Sequence, residues 1–219
     1  MALSFPRDWP DRAPLLEVFA AALDAVDPEQ AVRTELEKRP FEGPMTVVAI
    51  GKAASAMARG VPEPTHGIVV SDHVEPVPPG FTSILGGHPI PDERSEAAGT
   101  AVLTAVDEAT GPILFLISGG SSALCEVPAP GLTIGDVAAV KSTLLRSGSE
   151  IIEMNTVRKH ISSLKGVRLA ERAGRYPIRT LLISDVVGDI LDSIGSGPTV
   201  PDPTTYGDAL QILERYGVE

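Results

Sequence analysis

Five short apolar runs punctuate the chain, at residues 45–51 (MTVVAIG), 67–72 (GIVVSD), 82–87 (TSILGG), 113–120 (ILFLISGG) and 179–185 (RTLLISD). Hydrophobicity that is continuous rather than alternating over so few residues marks strands buried on both faces, as in a parallel sheet. Between the runs the apolar positions switch to helical spacing. PLLEVFAAALDAV (14–26) predicts one helix, and DPEQAVRTELEK (27–38) a second, with Asp27 as N-cap and Pro28 in the first turn. KAASAMARGV follows the first run, DERSEAAGTAVLTAVDEA precedes the fourth, and three further helices are expected between the fourth and fifth. Thr133 and Asp136 form a capping-box start for TIGDVAAVKSTLLRSG, with Gly148 as its stop. Asp202 and Pro203 are expected to open the last helix, TTYGDALQILERYG, which ends at Gly217. This alternation predicts an α/β fold: a mainly parallel sheet with helices on both faces, a Rossmann-like three-layer sandwich read as a single domain over residues 1–219. VPEPTHG and EPVPPGF are proline-rich loops, and no internal repeat or low-complexity linker interrupts the pattern.

The ends of the runs share a chemistry that packing does not require. Each closes on residues too small or too polar for a core: Gly51 and Lys52; Ser71 and Asp72; Gly86, Gly87 and His88; Ser118 to Ser122; Ser184 and Asp185. In a parallel sheet these carboxyl ends lie on one edge, above the crevice where open α/β folds bind ligands. Glycine there permits positive φ and lets a ligand approach main-chain N–H groups. One such loop could equally be a tight turn between strand and helix; five polar exits in one sheet favour an anion site, with phosphate the natural guest.

Charge narrows the guest further. The 219 residues carry a formal net charge of -11, which argues against nucleic acid or an anionic membrane as partner. Any anion must therefore meet a local site. A helix N-terminus gives an exposed anion only ~0.3 to 1 kcal/mol, so several loops and a cation have to cooperate. Lys52, directly after a strand, is the leading cation, able to follow transferring phosphoryl charge. NTVRKHISSLKG (155–166) adds Arg158, Lys159, His160 and Lys165, alternatively an exposed basic helix face. Asp185, Asp189 and Asp192 lie in a glycine-rich loop, and their hard oxygens suit Mg²⁺, although acidic loops are often only solvated.

Other chemistries lose support. No G-x-x-x-x-G-K-[ST] and no G-x-G-x-x-G is present. Gly119 to Ala123 loosely fits a nucleophile elbow, but His66, His73, His88 and His160 all precede Asp185, so the triad order of that fold cannot be completed. The single cysteine, Cys125, reads as a small buried thiol, and no zinc spacing occurs. The first twelve residues lack the basic and apolar regions of a leader and no run spans a membrane, so a cytoplasmic location is expected.

VVAIGKAASAM, GGHPIPDERS, LFLISGGSSALCEVP, LLRSGSEIIEMNTVRKHISSLKG and LLISDVVGDILDSIGSGPTVPDPTTYGDAL resemble the N-terminal domain of the glycerate 2-kinases, a family whose members are often labelled hydroxypyruvate reductases. The resemblance covers roughly residues 14–217. It implies ATP-dependent phosphorylation of D-glycerate at its 2-hydroxyl to 2-phosphoglycerate, with Mg²⁺. It implies catalytic roles for Lys52, Arg158 and Asp189 and metal contact by Asp185 and Asp189. Cofactor contact would come from Ser118, Gly119, Gly120, Ser121, Ser122, Asn155, Lys159, His160, Lys165, Ser184, Gly197 and Thr199. Two departures stand out. The family's third loop glycine is Ser121 here, which would be strained if that position needs positive φ. The family also continues into a C-terminal MOFRL-type domain that this sequence does not reach, so the expectation is a half-enzyme, inactive without that domain in trans and exposing apolar surface that would favour a homodimer. The alternatives are a phosphate-ligand sensor resembling sugar-isomerase domains, or a nicotinamide-dependent hydroxypyruvate reductase.

Overall fold

The computed structural model describes residues 12–41, 43–62 and 66–218. The expectation that the N-terminus carries no leader lies outside those residues, as does part of the VPEPTHG loop. Among the described residues, no helix is long and apolar enough to cross a membrane.

All five apolar runs are strands: β1 (Thr46–Ile50), β2 (His66–Ser71), β3 (Phe81–Leu85), β4 (Ile113–Ile117) and β5 (Ile178–Leu182). They form one wholly parallel sheet in the order β3-β2-β1-β4-β5. Every residue of β1 and β4 is buried, and side-chain alternation divides each strand between two cores. Val48, Ile50, Ile113, Phe115 and Ile117 face one core with Val102, Val106 and Leu169. Val47, Ala49, Leu114 and Leu116 face the other with Val32, Leu36 and Met57. Two dry faces require helices above and below, which explains the continuous hydrophobicity of the central strands.

Helices α2 (Pro28–Lys38) and α3 (Ala54–Arg59) cover one face, while α4 (Glu93–Asp107) and α8 (Arg168–Ala173) cover the other. The first helix, α1 (Arg12–Ala25), exposes Leu15, Val18 and Phe19 to solvent. A third core unites α6 (Ile134–Arg146), α7 (Ile151–His160) and α9 (Tyr206–Arg215) through Leu144, Val157 and Ile212. The caps follow local chemistry. Asp27 accepts the Gln30 N–H at 2.8 Å, and Thr133 and Asp136 exchange bonds at 2.8 and 3.2 Å.

Two boundaries differ from expectation. The last helix opens at Thr205, whose capping box with Asp208 wins, while Asp202 turns back to the Thr204 N–H at 2.9 Å. Between β4 and β5 there are four helices, because Ser121–Leu124 forms a single turn, α5, immediately after the glycines.

Candidate functional site

Strand order reverses between β1 and β4, since β1 connects outward to β2 and β4 onward to β5. The crevice of such a sheet opens at the carboxyl ends of these two strands. There the loops after β1 and β4 are hydrogen-bonded together: Lys52 N–H donates to Gly119 O at 2.9 Å, and Ala53 N–H to Ser118 Oγ at 3.1 Å. Gly51, at φ 131°, is required at this junction because a Cβ would lie 2.2 Å from Ser118 Oγ. Ser118 is buried, so its hydroxyl serves the loop-to-loop contact.

The glycine turn is bracketed by charge. A Cβ on Gly119 would lie 2.4 Å from an Asp185 carboxylate oxygen, and one on Gly120 would lie 3.3 Å from the Lys52 chain and 3.4 Å from the His88 ring. Gly120 carries the positive φ of 85°. Ser121 begins α5 with helical backbone, so the strain anticipated at this residue does not arise. Its hydroxyl is buried and, among the described residues, has no hydrogen-bond partner.

On the α7 side, a cavity of about 480 Å³ is lined by Gly120, Ser122, Asn155, Arg158 and Asp185, with an apolar wall that includes Ile151, Ile152, Val186 and Ile190. Arg158 is buried and donates to Ser122 O at 2.6 Å. Burial pulls its guanidinium below its ordinary range, and the charge of Glu126 pulls the other way. Asn155 Oδ1 accepts from Ser196 Oγ at 3.1 Å, which holds the 194–197 turn against α7. Ser184 caps its own loop through Val186 N–H at 3.1 Å, and Asp185 beyond it is exposed. Asp189 is exposed in the same loop at φ 50°, its N–H bonded to Val186 O at 3.1 Å.

Thus Lys52, Gly119, Gly120 and Asp185 come together, and Ser122, Asn155 and Arg158 adjoin them. Four other candidates are occupied elsewhere. Lys159 is buried with its ammonium 2.9 Å from Asp192 and 2.7 Å from Asp202. His160 lies against Tyr206, its Nδ1 2.9 Å from Thr156 O. Lys165 is buried against Glu126. Thr199 is bonded at 3.0 Å to Thr180, at the midpoint of β5 and below the sheet's carboxyl edge. Gly197, at φ 59°, closes a short 3-10 turn (Ile194–Ser196) and passes its carbonyl to Val167 N–H at 2.8 Å. Cys125 is a buried thiol, as expected, pushed up to about 12 by burial.

The sequence reading missed Lys141, the apolar cavity wall and the buried Glu126. Lys141, on α6, donates to Pro89 O. Burial lowers its ammonium to about 8, helped by the charges of Arg158 and Lys165 and opposed by Glu126. A lone lysine within an amphipathic helix gives no warning of this.

Among the described residues, no three His, Cys, Asp or Glu side chains form a metal-binding group. A preformed cage of protein ligands is not available there. Mg²⁺, however, is commonly held by one or two carboxylates together with phosphate oxygens, and Asp185 beside the bare glycine turn fits that pattern.

The chain is similar to several known proteins. The model of the family described as "Domain of unknown function (DUF4147)" matches residues 14–219. A relative from Agrobacterium vitis with a provisional hydroxypyruvate reductase name is 44% identical over 96% of this chain and 50% of its own length. The D-glycerate 2-kinase of Thermotoga maritima is 41% identical over 93% of this chain and 51% of its own. The crystal structure of the Thermotoga maritima glycerate kinase superposes with a TM-score of 0.87 at 40% identity, covering 94% of this chain and 51% of that one. The chain therefore spans about half the length of the curated relatives it matches.

Proposed function

This chain belongs to the DUF4147 family, and from that premise we propose that its cleft is the phosphate-handling half of a glycerate 2-kinase. The reaction is phosphoryl transfer from ATP to the 2-hydroxyl of D-glycerate, giving 2-phosphoglycerate and ADP. One observation carries the reading: the lysine after β1 and the aspartate after β5 stand on either side of two adjacent glycines that have no side chain to keep phosphates off the backbone. Support comes also from the relative named D-glycerate 2-kinase.

In this reading the N–H groups of the glycine turn receive phosphate oxygens, and Lys52 follows the negative charge of the group in flight. Asp185 would hold Mg²⁺, which when bound would neutralise phosphate charge. Asp189, further along the loop, is proposed as its partner. The apolar wall of Ile151, Ile152 and Ile190 accepts the nucleobase, while Arg158, fixed on Ser122 O, reaches toward the acceptor. Residues 1–219 act as one α/β domain in this scheme. The other half of the relatives' length supplies a second domain that closes the opposite wall and excludes water.

The test is ADP release with D-glycerate, ATP and Mg²⁺, measured for this chain alone and with the half of a relative that this chain does not span added in trans. Turnover that appears with both pieces and disappears for Lys52→Met is the expected result; no turnover under any combination counts against the reading. A reductase reading rests on the name of the Agrobacterium relative. Consumption of NADH with hydroxypyruvate, followed at 340 nm, would support it instead.

A further inference from the structure

Phosphoryl transfer to a small hydroxy acid leaves one charge of the acceptor unaccounted for, its carboxylate. Three basic groups beside the glycine turn have a geometry suited to it. The His88 ring lies against Gly120, on the same side as the Lys52 chain. The next residue, Pro89, offers its carbonyl to Lys141 of α6. Across the turn, Arg158 of α7 is anchored on Ser122 O at 2.6 Å. Two helices thus deliver one cation each to the backbones of two neighbouring segments, the 88–89 loop and the 120–122 turn that opens α5.

What anchors these cations is carbonyl oxygen and not carboxylate. Among the described residues, neither Lys141 nor Arg158 takes part in any ion pair, although the chain carries an excess of acid. The nearby carboxylate of Glu126 is already committed to Lys165 and to Ser162 Oγ. A guanidinium only 6% exposed is costly to leave without a counter-charge. Both side chains keep N–H donors beyond the one they give to the backbone.

Resting on the kinase reading, we propose that Lys141 and Arg158, with His88 beside them, form a carboxylate subsite that grips the acid end of a small 2-hydroxy acid. Lys52, whose chain shares that side of Gly120 with the His88 ring, is left for the phosphoryl group. The titration of Lys141 agrees with this geometry. Burial is the largest cause of its value near 8; Arg158 of α7 and Lys165 beyond α7 lower it further and Glu126 after α5 opposes them. His88, beside its anchor, is itself lowered by burial and in part by Lys141. An arriving carboxylate favours the ammonium, so it raises that value and draws in a proton near pH 8. Affinity falls as pH rises beyond it.

Isothermal titration of this chain with D-glycerate at pH 8, in buffers of differing ionisation enthalpy, reads the proton directly. Glycerol, inorganic phosphate and a non-hydrolysable ATP analogue are titrated alongside. The expected result is glycerate binding with fractional proton uptake and no binding of glycerol. Lys141→Met should weaken glycerate about tenfold or more, the loss expected for a charge-assisted bond, without changing the ATP analogue. Lys141→Arg should keep the affinity and lose the uptake, because a guanidinium does not titrate there. Glycerate affinity unchanged in Lys141→Met overturns the subsite, as does a Lys141-dependent site that prefers phosphate, or no glycerate binding at millimolar concentration. Loss of the ATP analogue alone, with glycerate still bound, overturns the kinase reading and leaves the subsite standing.

Discussion

Replacing Lys165 with methionine separates two readings of one residue. From its place in a basic segment Lys165 is a candidate ligand contact, yet in the fold its ammonium meets Glu126 with both side chains almost wholly buried. Glu126 is held further by Ser162 Oγ at 2.5 Å and the Val127 N–H at 3.1 Å. Methionine fills much the same volume and leaves that carboxylate buried without its cation. Breaking one side of such a pair costs about 3–5 kcal/mol. For a chain of this size each kcal/mol moves the melting temperature by roughly 2–4 °C, so Lys165→Met should melt about 6–20 °C lower. Adding Glu126→Gln removes the stranded charge while keeping oxygen for Ser162 and Val127, and should recover most of the loss. Thermal and urea unfolding followed by circular dichroism measure both effects. A single mutant within about 1 kcal/mol of wild type that loses ligand affinity would refute the structural role and return Lys165 to the site.

Other outcomes follow from the same geometry. Lys52→Met should reduce turnover of the reconstituted enzyme by about a hundredfold or more while its melting temperature stays within error, because Lys52 is exposed and acts on charge. Gly119→Ala forces a Cβ to 2.4 Å from Asp185 Oδ2; nucleotide binding measured by calorimetry should weaken, with Mg²⁺ dependence altered. Cys125, with its thiol near 12, should resist iodoacetamide at pH 8 in the folded protein and react once urea unfolds it. Burial works against ionised Asp202, but the bonds from Lys159 and Thr204 outweigh it and hold its carboxyl below the usual range. Because the folded value is depressed, this stabilisation is present above about pH 4 and is lost as pH falls through the lowered value. Acid unfolding of Asp202→Asn should therefore be less steep than that of wild type.

The strands were legible because their demand is local: a residue between two dry faces must be apolar, whichever helices supply those faces. The meeting of Lys52, Gly119 and Asp185 was legible at one remove, since parallel pairing brings all carboxyl ends to one edge. The fates of Lys159, His160 and Lys165 were not. Each depends on a partner far along the chain or on another helix, and nothing in NTVRKH distinguishes a lysine that meets Asp192 and Asp202 from one that meets solvent. Asp202 misled for a related reason. Aspartate before proline is a fair helix opener, but Thr205 and Asp208 together satisfy two backbone N–H groups where Asp202 satisfies one. Ser121 shows how a motif can shift its burden: the left-handed residue is Gly120, so its neighbour tolerates a side chain.

The bonds from Lys52 N–H to Gly119 O and from Ala53 N–H to Ser118 Oγ weld two loops that would otherwise move independently. Neither can lift without tearing the other from its strand, so the crevice floor behaves as an anvil rather than a jaw. Slow amide exchange at Lys52 and Ala53, set against rapid exchange along residues 186–191, would be the signature of a catalyst whose give is confined to one wall.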